Sequence, residues 1–438
     1  MRATVKGLRA RRLAFLAIPM ALAACGGGGG GTPAATPSPA PSPTALSAAA
    51  PAPTPVSPGV CTKAPGDPVR GTVPGLGLGT PEADADTMGM WSGVVNWPLI
   101  PVHAALTPDG RVMTYGTTAQ GKQTGRFVYS VWDPSVGTGA DSHLLMPNTT
   151  TTDLFCSGQI LLPQSGRMLL AGGDNYVDGL AQNTGTNETT IFDPATNQLS
   201  QGSNMFKPRW YGTPTMLVNG EVLMVGGKGN PNLPAAPERA EVRRADGTFR
   251  LLPNVDTTGF NTWYPRAFTA RDGRVFGYEV DGGAYFLDPE GDGRLSPMGV
   301  VDNVPTGATS SVAPYAPGKL LVTGGVSERA VTIDYTGPLP VIQPTASLSA
   351  VRQYVNLTVL PDGKVLATGG SAVDNELVGV TNQTEIWSPT TGQWTRGASG
   401  QIARLYHSMA MLLPDGSVMV GGGGAPGPLV NTNAELFF

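Results

Sequence analysis

The sequence predicts an all-β protein, a seven-bladed β-propeller, and three observations carry the prediction. From Trp91 onward, a unit of apolar strand, glycine-bearing turn, second apolar strand and, usually, Gly-Gly recurs seven times. The turn glycines Gly110, Gly166, Gly220, Gly273, Gly318, Gly363 and Gly416 follow one another at steps of 56, 54, 53, 45, 45 and 53 residues. Composition agrees: 60 Gly and 41 Pro, with only 14% charged residues, suit many short strands joined by tight turns.

The elements follow in chain order. Arg2, Lys6, Arg9, Arg11 and Arg12 precede an apolar run, Leu13 to Ala24, which is too short to span a bilayer as a lasting helix. The run ends in "LAAC", similar to a bacterial lipobox; that likeness implies cleavage before Cys25 and lipid on Cys25. Residues 25–87, rich in Gly, Pro and Ala, cannot bury a core and are expected to form a disordered tether. The expected organisation is a lipoprotein signal peptide over 1–24, a tether over 25–87 and the propeller over 88–438. Such a chain is exported and held by its lipid anchor alone on the periplasmic or outer side of a bacterial membrane. A net charge of −4 and no basic run exclude nucleic acid as the expected partner, and a monomer is expected. Export permits a disulfide, but nothing in the spacing places Cys61 beside Cys156.

A period near fifty with four strands per blade matches the kelch class of propeller. The inner hairpins read "ALTPDGRVMTYG", "LLPQSGRMLLAGG", "MLVNGEVLMVGG" and so on to "LLPDGSVMVGGG"; outer strands lie in stretches such as "ETTIFDPATNQL" and "TEIWSPTTGQWTRGA". The last unit has only "NAELFF" after its glycines. The N-terminal "MGMWSGVVNWPLIP" looks like "TGQWTRGASGQIAR", an outermost strand leading into the next blade. Residues near Trp91 are therefore expected to complete the seventh blade and close the ring, leaving only short, protected sheet edges.

Aligning the units on their turns brings distant side chains into register. Cys156, Tyr211 and His407 each lie seven residues before the same turn position, held by Pro163, Val218 and Pro414. Tyr264, Tyr354, Thr309 and Pro101 occupy that place in the other units. This is the start of the innermost strand, so the set converges on one mouth at the propeller axis. Arg209, Arg266, Arg352 and Arg404 lie within three residues of the ring. Arginines at a mouth favour anionic or carbonyl-bearing ligands, the alternative for each being a solvated loop arginine. With Tyr264 and Tyr354 they form the expected substrate-binding set.

"DLFCSGQILLP", "KPRWYGTPTML" and "ARLYHSMAMLLPDG", in this order on such a repeat, resemble the galactose oxidase and glyoxal oxidase family of copper-radical oxidases. The resemblance runs from about Met88 to Phe438. It implies that Cys156 is joined through sulfur to the ring of Tyr211, and that Tyr211 binds copper and carries a radical. It further implies that Tyr406 is an axial ligand and general base, and that His407 is an equatorial ligand. Imidazole and phenolate suit Cu(II) in a tetragonal site. The implied reaction oxidises small alcohols, aldehydes or carbohydrates and reduces dioxygen to hydrogen peroxide.

Two departures qualify that expectation. The segment where galactose oxidase carries a shielding indole reads "GGKGNPN", with no aromatic residue, and Trp210 is the neighbouring candidate. Family members also continue into a C-terminal β-sandwich that brings a second histidine to copper. The sequence to Phe438 holds no such segment, so the expected site is one strong donor short. His143 falls in an apparent surface loop, and His103, two residues past the ring position, is expected to pack within its own blade. The alternative reading is a non-catalytic propeller of kelch type that binds carbohydrate or a protein partner at the cell surface.

Overall fold

In five of the seven blades the first two strands are joined by the same tight turn, one that glycine completes easily. In the first, the Gly110 N–H donates to the Thr107 carbonyl at 3.0 Å and the Thr107 N–H to the Arg111 carbonyl at 2.9 Å. The same pair of bonds recurs around Gly220, Gly273, Gly363 and Gly416. Gly110 has φ of 86° and the four others lie between 81° and 93°, a left-handed backbone that a Cβ disfavours.

The computed structural model describes residues 83–230, 238–261 and 263–438. The expected signal peptide, Cys25 with its expected lipid, Cys61 and nearly all of the expected tether lie outside the described residues. Among the described residues, no helix is long and apolar enough to cross a membrane. The strands form seven antiparallel four-stranded sheets and one small hairpin. Blade 1 runs from the inner strand His103–Leu106 through Val112–Tyr115 and Val128–Trp132 to His143–Pro147. The inner strands of blades 2 to 7 are Gly158–Leu162, Thr213–Met216, Arg266–Thr269, Ser310–Ala316, Asn356–Val359 and Ser408–Leu412.

The seventh blade closes as the sequence implies. Its fourth strand is Val95–Asn96, which pairs with Asn433–Phe437, and Trp91 bridges to Phe437. The Trp91 ring meets Phe437 edge-on at 5.3 Å, and the Ser92 N–H donates to the Leu436 carbonyl. One sheet thus takes strands from both ends of the domain.

The core is a set of layers between neighbouring blades, and strand alternation explains it. In blade 1, Val112 packs toward Met419 and Leu436 of blade 7, while its neighbour Met113 packs toward Met168 and Leu170 of blade 2. In blade 3, Val222 faces Leu169 and Leu223 faces Val275. Second strands are buried on both faces and therefore read as unbroken apolar runs such as "VLMV".

His143 does not lie in a surface loop. It opens the outermost strand of blade 1, with its ring 4.4 Å from Trp97 and 6.5 Å from Trp132. Its Nδ1 lies 3.3 Å from the Ser130 hydroxyl, and burial lowers its pKa to about 4. The unfolded chain therefore takes up this proton first, so the contribution to stability is full above pH 6.5 and is lost as pH falls toward 4. We expect His143→Phe to lose less stability than the parent between pH 6.5 and 4, measured by urea midpoints. Equal acid sensitivity in the two proteins would contradict this assignment.

Candidate functional site

The mouth is shaped by a turn that precedes the inner strand. In Leu154–Ser157 the Ser157 N–H donates to the Leu154 carbonyl at 3.1 Å, and in Leu405–Ser408 the Ser408 N–H donates to the Leu405 carbonyl at 2.9 Å. The third residue of each turn is left-handed, with φ of 57° at Cys156 and 63° at His407. Tyr211, Tyr264 and Tyr354 share that conformation at 65°, 50° and 60°. A side chain held there costs on the order of 1 kcal/mol or more, so each position is over-determined by its surroundings. Part of that support is a relay of backbone bonds between blades. The N–H groups of Tyr211, Tyr264 and Tyr354 donate to the carbonyls of Cys156, Tyr211 and Thr309 respectively, each at 2.9 Å.

Three buried ion pairs supply the rest. Arg209 meets Glu241 at 2.9 Å, Arg352 meets Glu385 at 3.1 Å and Arg404 meets Glu435 at 3.0 Å, all essentially without solvent exposure. Each arginine also donates to a carbonyl at the end of the second strand, Gly226, Gly369 or Gly422. Each glutamate accepts a backbone N–H from the incoming segment, Phe206, Ser349 or Gln401. These clasps pin the segments that deliver Tyr211, Tyr354 and the Tyr406–His407 pair two or three residues later. The expectation that Arg209, Arg352 and Arg404 face substrate is therefore corrected: the structure buries them in the blades, each paired with a glutamate. A repeated Glu in the third strands of blades 3, 6 and 7 was the signal in the sequence.

Around the axis the remaining groups converge. The Tyr211 and Tyr406 hydroxyls lie 2.5 Å apart, and His407 Nε2 is 3.5 Å from the Tyr211 hydroxyl and 3.9 Å from Cys156 Sγ. His407 Nδ1 is 2.8 Å from the Gly424 carbonyl, which can only accept, so the proton sits on Nδ1 and the Nε2 lone pair faces the tyrosines. The His407 ring stacks on Tyr406 at 3.7 Å. Tyr354 packs against Tyr406 at 4.9 Å and donates its hydroxyl to Asp374 at 2.7 Å, while Tyr264 packs against Tyr211 at 4.9 Å. His103 is not confined to its own blade: Cys156 donates its N–H to His103 Nε2 at 3.2 Å.

Burial sets the protonation of this cluster. It raises the Tyr211 hydroxyl and the Cys156 thiol far above their usual ranges and pushes Tyr406 up to about 12. It lowers His407 to about 4 and His103 to about 3. At neutral pH every donor is uncharged, with protonated phenols and thiol and neutral imidazoles.

Two indoles flank Tyr211. Trp210 is buried, 4.6 Å away, with Lys228 Nζ 5.2 Å from its ring. Trp263 lies 4.8 Å from Tyr211 and is 49% exposed. Sequence reasoning missed Trp263, although the dipeptide Trp-Tyr ends at the ring position in both units, 210–211 and 263–264. The cavity that these groups line holds about 640 Å³, with Tyr211, Trp263, Tyr406 and His407 among its walls. Arg266 is the arginine that reaches it; its Nη2 donates to the Ser310 carbonyl and hydroxyl, while its buried Nη1 has no partner.

Comparison with known proteins gives a consistent picture. Residues 128–292 match the family described as Glyoxal oxidase N-terminus. A galactose oxidase of Gibberella zeae is 25% identical over 388 residues, covering 80% of this chain and 55% of the relative. Aldehyde oxidase GLOX1 of Arabidopsis thaliana is 24% identical over 328 residues, covering 66% of this chain and 52% of the relative. The chain thus spans about half the length of these relatives. A solved structure described as a novel fungal alcohol oxidase of the AA5 family, in complex with copper, has the same fold, with a TM-score of 0.69 at 20% identity; the match covers 80% of this chain and 76% of that one.

The clasps make a direct prediction. Arg352→Met leaves the Glu385 carboxylate buried and unpaired, and is expected to cost about 3–5 kcal/mol in urea unfolding. Replacing both residues, Arg352→Met with Glu385→Leu, should recover most of that loss. A double variant as unstable as the single one would show that the pair does not act as a unit.

Proposed function

We propose that this propeller, a relative of galactose oxidase and the glyoxal oxidases, is a copper-radical oxidase of small alcohols and aldehydes that reduces dioxygen to hydrogen peroxide. One observation carries the reading: Tyr211, Tyr406, His407 and Cys156, from three blades, meet at the floor of a single cavity. The donor set fits copper. Among the described residues, no three of His, Cys, Asp and Glu gather into a metal site, so a resident ion must use the phenols. Two phenol oxygens and an imidazole lone pair suit Cu(II). Tyr211, Tyr406 and His407 Nε2 would hold it, and the two phenols would give up their protons as it enters.

Copper, with a radical on Tyr211, would supply the two oxidising equivalents that converting an alcohol or hydrated aldehyde requires. The chain's own groups do the rest. The Tyr406 oxygen, freed of its partner at Tyr211, takes the proton of the substrate hydroxyl. The Arg266 side chain, which lines the cavity, would attract a second oxygen of the substrate and orient it. Trp210 and Trp263, 5.7 Å from each other, pack edge-on against Tyr211 and would limit water there. The Cys156 thiol lies beside Tyr211, placed for a thioether: S–H and ring C–H bonds break, a C–S bond forms, and two electrons and two protons pass to dioxygen as hydrogen peroxide. On this reading the enzyme works outside the cytoplasm, tethered through Cys25, as the "LAAC" motif and the Gly/Pro/Ala-rich segment suggest. A purely binding propeller would keep the cavity and lack the chemistry.

After copper loading in air, glyoxal, methylglyoxal or galactose is expected to elicit hydrogen peroxide, read by a peroxidase-coupled assay. Tyr211→Phe should lower that rate on the order of a thousandfold or more while leaving the thermal unfolding midpoint close to the parent's. Peroxide release unchanged in Tyr211→Phe, or none from the parent with any alcohol or aldehyde, would overturn the oxidase reading.

A further inference from the structure

The relay of backbone bonds around the mouth links Cys156 to Tyr211, Tyr211 to Tyr264 and Thr309 to Tyr354, and Cys156 itself is held differently. Tyr211 and Tyr264 each give their N–H to the carbonyl of the preceding ring residue, and Tyr354 gives its own to Thr309. The ring residue before Cys156 is Pro101, whose φ is fixed near −65° and cannot become left-handed. The chain there makes a three-residue turn instead, with the Val102 N–H donating to the Ile100 carbonyl at 2.8 Å. The Cys156 N–H is taken by a side chain, His103 Nε2, at 3.2 Å.

That imidazole is well fixed. It lies nearly flat on Tyr115, its register partner in the next strand, with centroids 4.8 Å apart and planes at 18°. The Tyr115 hydroxyl in turn bonds Ser157 Oγ at 3.1 Å and Gln159 Oε1 at 2.8 Å. His103 and Tyr115 therefore grip blade 2 at Cys156 and just beyond it.

We propose that His103 is a positioning residue for Cys156: its Nε2 replaces the missing ring carbonyl and holds the left-handed backbone that keeps Sγ beside Tyr211. The proposal rests on the thioether reading only for its consequence. The grip itself is a property of the metal-free protein. His103 is not assigned to copper, because its Nε2 lone pair is already engaged by the Cys156 N–H.

The test uses His103→Leu, which removes the acceptor, and His103→Gln, whose side-chain oxygen can restore it. In metal-free protein, amide exchange at Cys156, read by NMR, is expected to quicken about five- to tenfold in the Leu variant, the size of one net hydrogen bond, and to return toward the parent in the Gln variant. After addition of Cu(II) in air, thioether formation, read as loss of two hydrogens by mass spectrometry, should slow at least about fivefold in the Leu variant and recover in the Gln variant. Copper affinity should be unchanged in both. Parent-like exchange at Cys156 in the Leu variant overturns the proposal, as does a loss of copper affinity in both variants with exchange unaltered, which would make His103 a ligand. If the parent forms no thioether, the oxidase reading fails, and the exchange measurement alone still decides the role of His103.

Discussion

Everything at this mouth depends on a left-handed residue set just before the inner strand. A residue with positive φ reverses the chain sharply, so its side chain points along the axis rather than into the layers between blades. Glycine would adopt that backbone most easily, yet Cys156, Tyr211, Tyr264, Tyr354 and His407 occupy it. The strain is offset by the hydrogen bonds from blade to blade and by the arginine–glutamate clasps behind Tyr211, Tyr354 and His407. Closure of the seventh blade by Val95–Asn96 matters for the same reason: it ties the blade that carries Tyr406 and His407 to the chain that enters blade 1.

Charge is distributed in keeping with this division. The buried ions are held inside the blades, each arginine against its own glutamate, where they fix geometry. The four groups that meet at the axis are neutral: burial raises the phenols and the thiol and lowers the imidazole. The Tyr211, Tyr406, His407 and Cys156 cluster is uncharged, with the imidazole lone pair aimed at the phenols. Arg266 stands as a positive group on the wall of the cavity.

Much of this was legible in the chain, because propeller geometry turns sequence register into spatial register. Counting seven residues back from each turn brought Cys156, Tyr211 and His407 to one ring, and the likeness of the first and last segments foretold the closure at Trp91. What register could not supply was the partner across a strand. Arg209, Arg352 and Arg404 sit beside the ring in sequence, but their glutamates lie some thirty residues on, in the third strand, and only the folded sheet unites them. His143 was misplaced for a similar reason: its tryptophans, Trp97 and Trp132, come from separate elements. Trp263 went unnoticed because an indole was sought only in the blade of Tyr211, whereas the next blade also brings one to it.

The claim at the centre is that Cys156 and Tyr211, 55 positions apart in sequence, are held side by side at a site able to join them. Tandem mass spectrometry of a proteolytic digest, taken after metal-free protein is exposed to Cu(II) and dioxygen, addresses it most directly. The account predicts one species in which the peptide bearing Cys156 is bonded through sulfur to the ring of Tyr211, two hydrogens lighter than the separate peptides together. Free Cys156, alkylatable in full after denaturation and with Tyr211 unmodified, would contradict it.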